Sequence, residues 1–204
     1  MKQMNYRSKT DQLVALVKEN GLLRARDLGA AGIPTVYLRR LCQRGLLTQV
    51  ARGLYRPVQA AATEYQMMLE CAKLVPHGTI CLLSALAFHD LTTQLPPELW
   101  VAIGAKNWRP KAGHLPVRFL RFSGMALTEG VEIHTINKVS VRVYCPAKTV
   151  ADCFKYRNKV GLEVAIQALR DCWRNRKATA DELWRYAKIC RVANVMRPYM
   201  ESLV

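Results

Sequence analysis

The chain has 204 residues, half of them hydrophobic, and a formal net charge of +16. This length allows a small domain joined to a larger one, and this apolar content excludes a disordered or low-complexity protein. The sequence contains no run of about 18 apolar residues, and no apolar stretch follows the N-terminal lysines. We therefore expect neither a membrane span nor a signal peptide, and a cytoplasmic location.

The positive charge is concentrated at the two ends of the chain. Residues 1–58 hold eleven Lys and Arg against three acids, and residues 141–204 hold thirteen against six, whereas residues 59–140 hold seven against six. Polyanionic nucleic acid is the usual partner of such concentrated fields, and ordinary solvated helix faces are the alternative. We expect nucleic acid as the partner of the N-terminal end, whereas for the C-terminal end nucleic acid such as RNA and solvated helix faces both stay open.

The predicted elements of the first 58 residues follow the order of a winged helix-turn-helix. They are a helix opened by the Ser8–Asp11 capping box and ended by Gly21, a short helix over about Ala25–Ala30, a turn at Ala31-Gly32, a helix from Pro34 to about Gln43, and two β-prone pieces around Ala51–Gly53.

The third predicted helix has two chemically different faces. Leu38, Leu41 and Cys42 share one face at core spacing. The opposite face carries guanidinium and amide groups, which suit the guanine and adenine edges of the major groove. The predicted DNA contacts of this helix and of the wing that follows are Thr35, Val36, Tyr37, Arg39, Arg40, Gln43, Arg44, Gln49, Arg52 and Arg56. The alternative is a surface helix with ordinary arginines.

Residues 59–204 alternate between helical and β-prone segments. The predicted helices cover about Thr63–Leu74 and Ile80–Leu91, then start near Pro146, Gly161 and Thr179, with Pro198 interrupting or starting the last. Four short β-prone segments should form one small mixed or antiparallel sheet. The predicted fold class is therefore α+β, with a winged helix-turn-helix in residues 1–58 and a larger mixed α/β domain in residues 59–204.

A search for catalytic or metal chemistry finds no assembled site. The seven cysteines and four histidines are scattered without CxxC spacing, and the glycine-rich phosphate loops and the GxSxG elbow are absent. We therefore expect buried reduced thiols, no metal, no cofactor and no enzymatic activity. His89-Asp90 suggests a helix end more than a phosphohydrolase metal pair. Asp152 should pair with Lys148 and Lys155 on its own helix.

A basic loop with one aromatic residue lies between two of the β-prone segments. It spans Lys106–Pro116 and places Trp108 between Lys106 and Arg109. A solvated loop is the interpretation we favour, and stacking on nucleotides is the alternative.

Five segments make the chain resemble the AbiEi antitoxin family of AbiE-type (type IV) toxin–antitoxin systems. They are DLGAAGIPTVYLRRLCQRGLL, RGLY, SALAFHDLT with the following PPELWVAI, CPAKTVADCFKYRNKVGLEVAIQALR, and RVANVMRPYMESL. One departure is Asp90, where the family pattern has glycine, which matters if the turn there needs a positive φ.

The resemblance implies a protein with two roles. Its winged helix would repress its own operon by binding promoter DNA, expected as inverted repeats. Its C-terminal domain would counteract a nucleotidyltransferase-like toxin, either by direct contact or by opposing the toxin's effect on its target. The implied candidates for the antitoxin surface are Lys148, Lys155, Tyr156, Arg157 and Lys159. A ligand-sensing transcription factor and a nucleic-acid enzyme are the competing hypotheses.

Overall fold

The structure is a computed structural model that describes residues 8–59, 65–108, 110, 112–113 and 115–203. It divides into two compact units. The N-terminal unit comprises Met1–Pro76 with Pro110–Leu115 and Thr135–Ser140, and the C-terminal unit comprises His77–Arg109, Pro116–His134 and Val141–Val204. The N-terminal unit thus continues past residue 58, and an independent domain boundary at that position stays a prediction.

The N-terminal unit has the helix, helix, turn, helix, hairpin order of a winged helix. Its elements are α1 (Lys9–Asn20), β1 (Leu23–Arg24), a 3-10 helix (Ala25–Ala31), α2 (Val36–Gln43), β2 (Leu47–Ala51), β3 (Leu54–Pro57) and α3 (Gln66–Leu74). The Ser8 side chain accepts a hydrogen bond from the Asp11 backbone N–H, as the capping box predicts. Of the helix predicted over Thr63–Leu74, Thr63 lies outside the described residues.

Two details of this unit differ from the sequence prediction. The short second helix is a 3-10 helix, and β1 adds a third strand, so that the sheet order is β1-β3-β2. β1 is only two residues long and pairs Leu23 with Tyr55. A strand of two residues is too short to show an alternation of polar and apolar residues. β1 forms because it pairs with β3, which the local sequence does not reveal.

A small apolar core holds the winged helix together. Leucines from each helix and from the sheet meet in it with almost no solvent exposure; they include Leu13, Leu23, Leu28, Leu38, Leu41 and Leu47. Each fully buried leucine stabilises the fold by roughly 1.5–3 kcal/mol relative to an exposed one. The core therefore fixes which side of α2 is turned to solvent.

The remaining elements are the strands of a five-stranded mixed sheet and the helices that accompany it. They are β4 (Thr79–Ile80), α4 (Leu82–Phe88), β5 (Leu99–Gly104), β6 (Val117–Phe122), α5 (Met125–Thr128), β7 (Val131–Ile136), β8 (Val139–Tyr144), α6 (Pro146–Lys155), α7 (Arg157–Val160), α8 (Leu162–Arg174), α9 (Ala180–Ile189) and α10 (Ala193–Glu201). The strand order is β6-β5-β4-β8-β7, in which β4 pairs antiparallel with β5 and parallel with β8. The α+β fold class is confirmed.

Helix α6 is the centre of the C-terminal unit. It packs against α4, α8, α9 and α10, and every residue from Ala147 to Phe154 is buried. A helix that is covered on all sides normally carries no charge, yet Lys148 and Asp152 are both within this stretch.

Two boundary predictions in the C-terminal part are wrong. The apolar run Ile80–Leu91 is not one helix, because Thr79 and Ile80 form the central strand β4 and the helix covers only Leu82–Phe88. A continuous apolar run has no period that separates a buried strand from a buried helix. Pro198 neither starts nor interrupts α10 but lies inside it.

Three helices of the C-terminal unit end in the same motif with a residue other than glycine in the left-handed position. After α4, the N–H of Asp90 donates to the Ala87 carbonyl and that of Leu91 donates to the Leu86 carbonyl. This pair of bonds is a Schellman motif, in which glycine is the usual left-handed residue. Asp90 has φ 56°, so the family departure noted in the sequence falls on a strained backbone position.

We expect Asp90→Gly to stabilise the C-terminal unit by about 0.5–1 kcal/mol, a rise in Tm of about 1–4 °C. Glycine adopts φ 56° without the Cβ clash that aspartate has. Asp90→Ala is the matched control, because it loses the same 3.7 Å contact to Lys177 but keeps the Cβ. Thermal unfolding measures both, and an Asp90→Ala protein as stable as the glycine variant would contradict the backbone explanation.

Candidate nucleic-acid interface

Helix α2 presents a basic face to solvent. Leu38 and Leu41 are buried, whereas Thr35, Val36, Arg39, Arg40, Gln43 and Arg44 are all exposed. The buried and exposed sides of α2 follow from helical spacing, since the two leucines lie three residues apart and face the core. The predicted face is therefore available to a ligand, and its contact with DNA stays a prediction.

The two central arginines of this face differ in their surroundings. The Arg40 guanidinium carbon lies 5.4 Å from the centroid of the half-buried Tyr37 ring, at cation–π distance. Within the described part of the chain, Arg39 makes no such contact and no ion pair. Arg39 is the freer of the two to reach a base edge.

Strands β2 and β3 form the wing beside this helix. They pair antiparallel, with Gln49 opposite Tyr55 and an irregularity between Gln49 and Ala51. At the tip Arg52 is exposed, and Gly53 has φ 73°, a turn conformation that glycine adopts without strain. The Ala25 N–H donates to the Gly53 carbonyl at 2.8 Å, which attaches the wing tip to the 3-10 helix.

Arg56 has a different environment from the other predicted contacts. Its guanidinium lies 3.7 Å from the carboxylate of Glu70 on α3, whose side chain is almost completely buried. Gln66 also donates to that carboxylate. Arg56 therefore compensates a buried charge within the unit, a role that competes with phosphate binding.

Two further arginines, which are not among the predicted DNA contacts, lie near the wing tip. Arg24 and Arg26 flank Ala25, whose N–H is bonded at the tip. Burial and the nearby charge of Arg26 lower the pKa of Arg24. Only the pairing of β1 with β3 brings these residues to the wing, so their position could not be deduced from local pattern.

Residues 11–58, which hold most of α1, all of α2 and the wing, match a family model. The family is described as "Transcriptional regulator, AbiEi antitoxin". The predicted resemblance to AbiEi is confirmed for this segment, and it supports a transcriptional regulator of the antitoxin type. No curated protein matches the chain.

The fold of the chain resembles that of a solved structure over nearly its whole length. The crystal structure of RV2827C protein from Mycobacterium tuberculosis matches with a TM-score of 0.63 and 14% sequence identity, covering 96% of this chain and 80% of that one. At this identity the likeness concerns the fold alone. In the described residues, no helix has the length and apolarity that a membrane crossing requires.

We expect Arg52→Ala to weaken DNA binding by this protein equally for specific and unrelated duplexes. A wing-tip cation that contacts phosphate carries no sequence information, and its loss lowers the slope of log affinity against log salt by about 0.9. Fluorescence anisotropy at several KCl concentrations measures both effects. Arg170→Ala removes an exposed charge in the C-terminal unit and is the control. An unchanged salt slope for Arg52→Ala would exclude the phosphate contact.

The implied antitoxin residues are only partly on the surface. Lys155 and Lys159 are exposed, and Lys159 lies 5.6 Å from the Tyr156 ring centroid. Tyr156 is half-buried and stacks on Phe122 at 5.4 Å, and burial raises its pKa to about 12. Arg157 donates to the Phe154 carbonyl. Their role in antitoxicity stays a prediction.

Lys148 requires a correction, because it is not a surface residue. Its side chain is completely buried, and its Nζ donates to the carboxylate of the equally buried Asp152 at 2.5 Å. The ring centroids of Tyr144 and Phe122 lie 4.1 and 5.0 Å from the same nitrogen. A lysine enclosed in this way has a folding role and offers nothing to a partner.

The other groups singled out in the sequence are His89 and the seven cysteines. His89 caps the end of α4, and its Nε2 lies 2.7 Å from the Tyr144 carbonyl; burial lowers its pKa. All seven cysteines are free, and burial raises the pKa of Cys71, Cys172 and Cys190 to about 12. Among the described residues no group of three His, Cys, Asp or Glu could hold a metal ion.

Proposed function

We propose that this protein is a transcriptional autorepressor and the antitoxin of a type IV toxin–antitoxin system, acting in the cytoplasm without enzymatic activity. The observation that carries the proposal is the outward basic face of α2, with buried leucines behind it, inside the segment that matches the AbiEi regulator family.

The repressor activity would use the two parts of the winged helix differently. α2 would enter the major groove, where Arg39 and Gln43 have the side chains that read guanine and adenine edges. Arg52 on the wing would neutralise a backbone phosphate. Two copies on an inverted repeat in the promoter would make repression respond to the concentration of the protein.

The antitoxin activity would belong to the C-terminal unit. Its exposed cations at the end of α6 and in α7, Lys155 and Lys159, suit either of two acidic partners. One is an acidic face of a nucleotidyltransferase-like toxin, and the other is the RNA on which such a toxin acts. Both routes need a folded C-terminal unit and neither needs α2.

Co-expression with the adjacent gene tests the proposal. We expect the full chain to rescue growth from toxicity and to retard a duplex from its own upstream region in a gel. The full-length Arg39→Ala/Arg40→Ala protein should lose the gel shift and keep the rescue. Binding of upstream DNA without a toxic neighbour would instead favour the ligand-sensing transcription factor, and no binding to any duplex would refute the repressor.

A further inference from the structure

A groove of about 600 Å³ lies where α8 ends and α9 begins. Trp173, Arg176 and Lys177 line one part of it, and the first turn of α9 with Thr179 and Glu182 lines the rest. All of these residues belong to the C-terminal unit. The groove therefore combines an aromatic side chain with two cations, outside the winged helix.

Arg176, one of the lining residues, has an unfavourable backbone conformation. It follows α8 in a Schellman motif, in which its N–H donates to the Trp173 carbonyl and the Lys177 N–H donates to that of Cys172. Its φ is 52°, a conformation that glycine adopts freely. Gly45 occupies the same position after α2. Asp90 and Arg191 have the same conformation outside the groove lining, so a ligand is indicated by the groove and its charges and not by the strain.

The charges of the groove leave its cations available to an anion. Among the described residues no carboxylate lies within ion-pair distance of the exposed Arg176. Lys177 has only a loose 3.7 Å contact with the exposed Asp90. The one acid in the lining, Glu182, accepts hydrogen bonds from the N–H and hydroxyl of Thr179, so its carboxylate serves the helix cap.

Trp173 gives the groove an apolar wall. It is half-buried and packs against the hydrophobic core of the C-terminal unit. Its ring is therefore held in place while part of it faces the groove. Base–aromatic stacking and phosphate–arginine contacts together are how proteins bind single strands without sequence preference. Arg176 lies three residues after Trp173, close enough for one nucleotide to contact both.

We propose that this groove binds a nucleotide of single-stranded nucleic acid, with its base on Trp173 and its phosphate on Arg176 and Lys177. The site is separate from the duplex-binding face of α2. The proposal can therefore be tested independently of operator repression, because single-strand and duplex binding are separate measurements.

The chain contains a matched control for Arg176. Arg191 follows α9 in the same motif, is exposed and has φ 59°, but does not line the groove. Arg176→Gly and Arg191→Gly remove the same charge and relieve the same strain. Both should therefore raise the Tm by about 1–4 °C, which also shows that each variant is folded.

Fluorescence anisotropy with 12-nucleotide oligo(rU) and oligo(dT) probes tests the full-length proteins. We expect Arg176→Gly to weaken binding about tenfold and to reduce the salt slope by about 0.7, and Arg191→Gly to change affinity less than twofold. Trp173→Leu should also weaken binding about tenfold, and Trp173→Phe should retain most of it. Weakening for oligo(rU) alone would identify RNA, and weakening for both probes would identify single strands in general.

Two results would overturn the proposal. One is equal loss of affinity in Arg176→Gly and Arg191→Gly, since the effect would then be general charge and not the groove. The other is unchanged oligonucleotide binding in Arg176→Gly; lost co-purification of the toxin in the same variant would then make the groove a protein docking site.

Discussion

Replacing Lys148 with methionine is expected to lower the free energy of unfolding of the C-terminal unit by about 3–5 kcal/mol. Methionine matches the length of lysine but leaves Asp152, which is completely buried, without its cation. The Cys190 thiol remains as a weak donor to the other carboxylate oxygen at 3.2 Å. An uncompensated buried carboxylate costs far more than the pair contributes, so the loss should be large.

The double variant Lys148→Met/Asp152→Val separates charge from packing. Removing both charges replaces the ion pair by apolar groups, a change that often leaves stability unaltered. We therefore expect the double variant to recover at least half of the free energy of unfolding that the single variant loses. If the double variant is no more stable than the single one, the lysine stem would be the important part. That stem is tightly enclosed, since a Cβ at Gly130 would lie 2.8 Å from the Lys148 Cβ.

The stability of the single variant should also depend on pH. Burial raises the pKa of Asp152, and Lys148 is the main group that lowers it. Without Lys148 the folded pKa rises further above the unfolded value, so stability is present at low pH and is lost as pH rises through the folded pKa. The deficit relative to the natural protein should therefore be larger at pH 8 than at pH 5 in chemical unfolding.

The same variant clarifies how antitoxin experiments should be interpreted. A Lys148 variant would lose antitoxicity by unfolding, whereas Lys155→Ala and Lys159→Ala change exposed side chains and should unfold within about 0.5 kcal/mol of the natural protein. Loss of rescue by the Lys155 and Lys159 variants would therefore indicate a partner surface, whereas loss of rescue by a Lys148 variant would not.

Local periodicity was sufficient for the elements whose stability is local. Helix α1 has its capping box, and α2 has two leucines that fix its buried side, so both could be placed from the sequence. β1 and β4 could not, because each is two residues long and exists through pairing with a strand far along the chain. Leu23–Arg24 and Thr79–Ile80 carry no alternation that could have predicted them.

The error over Lys148 has a physical origin. Its spacing to Asp152 correctly predicted an ion pair, but lysine is almost never fully buried, so the pair was assigned to a solvent-facing side of α6. Four helices pack around α6, and the rings of Tyr144 on β8 and Phe122 on β6 lie against the Lys148 amine. Which helices cover a helix is a tertiary property, and the sequence of α6 alone does not contain it.

Replacing Arg39 and Arg40 together with alanine is expected to weaken operator binding by about 2–6 kcal/mol, at about 1–3 kcal/mol for each bidentate base contact. The two single variants should not be equal. Arg40 must leave its position over Tyr37 to reach DNA, so Arg39→Ala should show the larger loss.

Specificity distinguishes base reading from simple charge loss. If the two arginines read bases, the double variant loses more affinity for the operator than for a scrambled duplex, and the ratio between the two falls. Both side chains are exposed, so thermal unfolding should be unchanged and a folding defect is excluded. Equal losses for the two duplexes would assign α2 to phosphate contacts, and operator binding equal to that of the natural protein would mean that this face of α2 does not meet DNA.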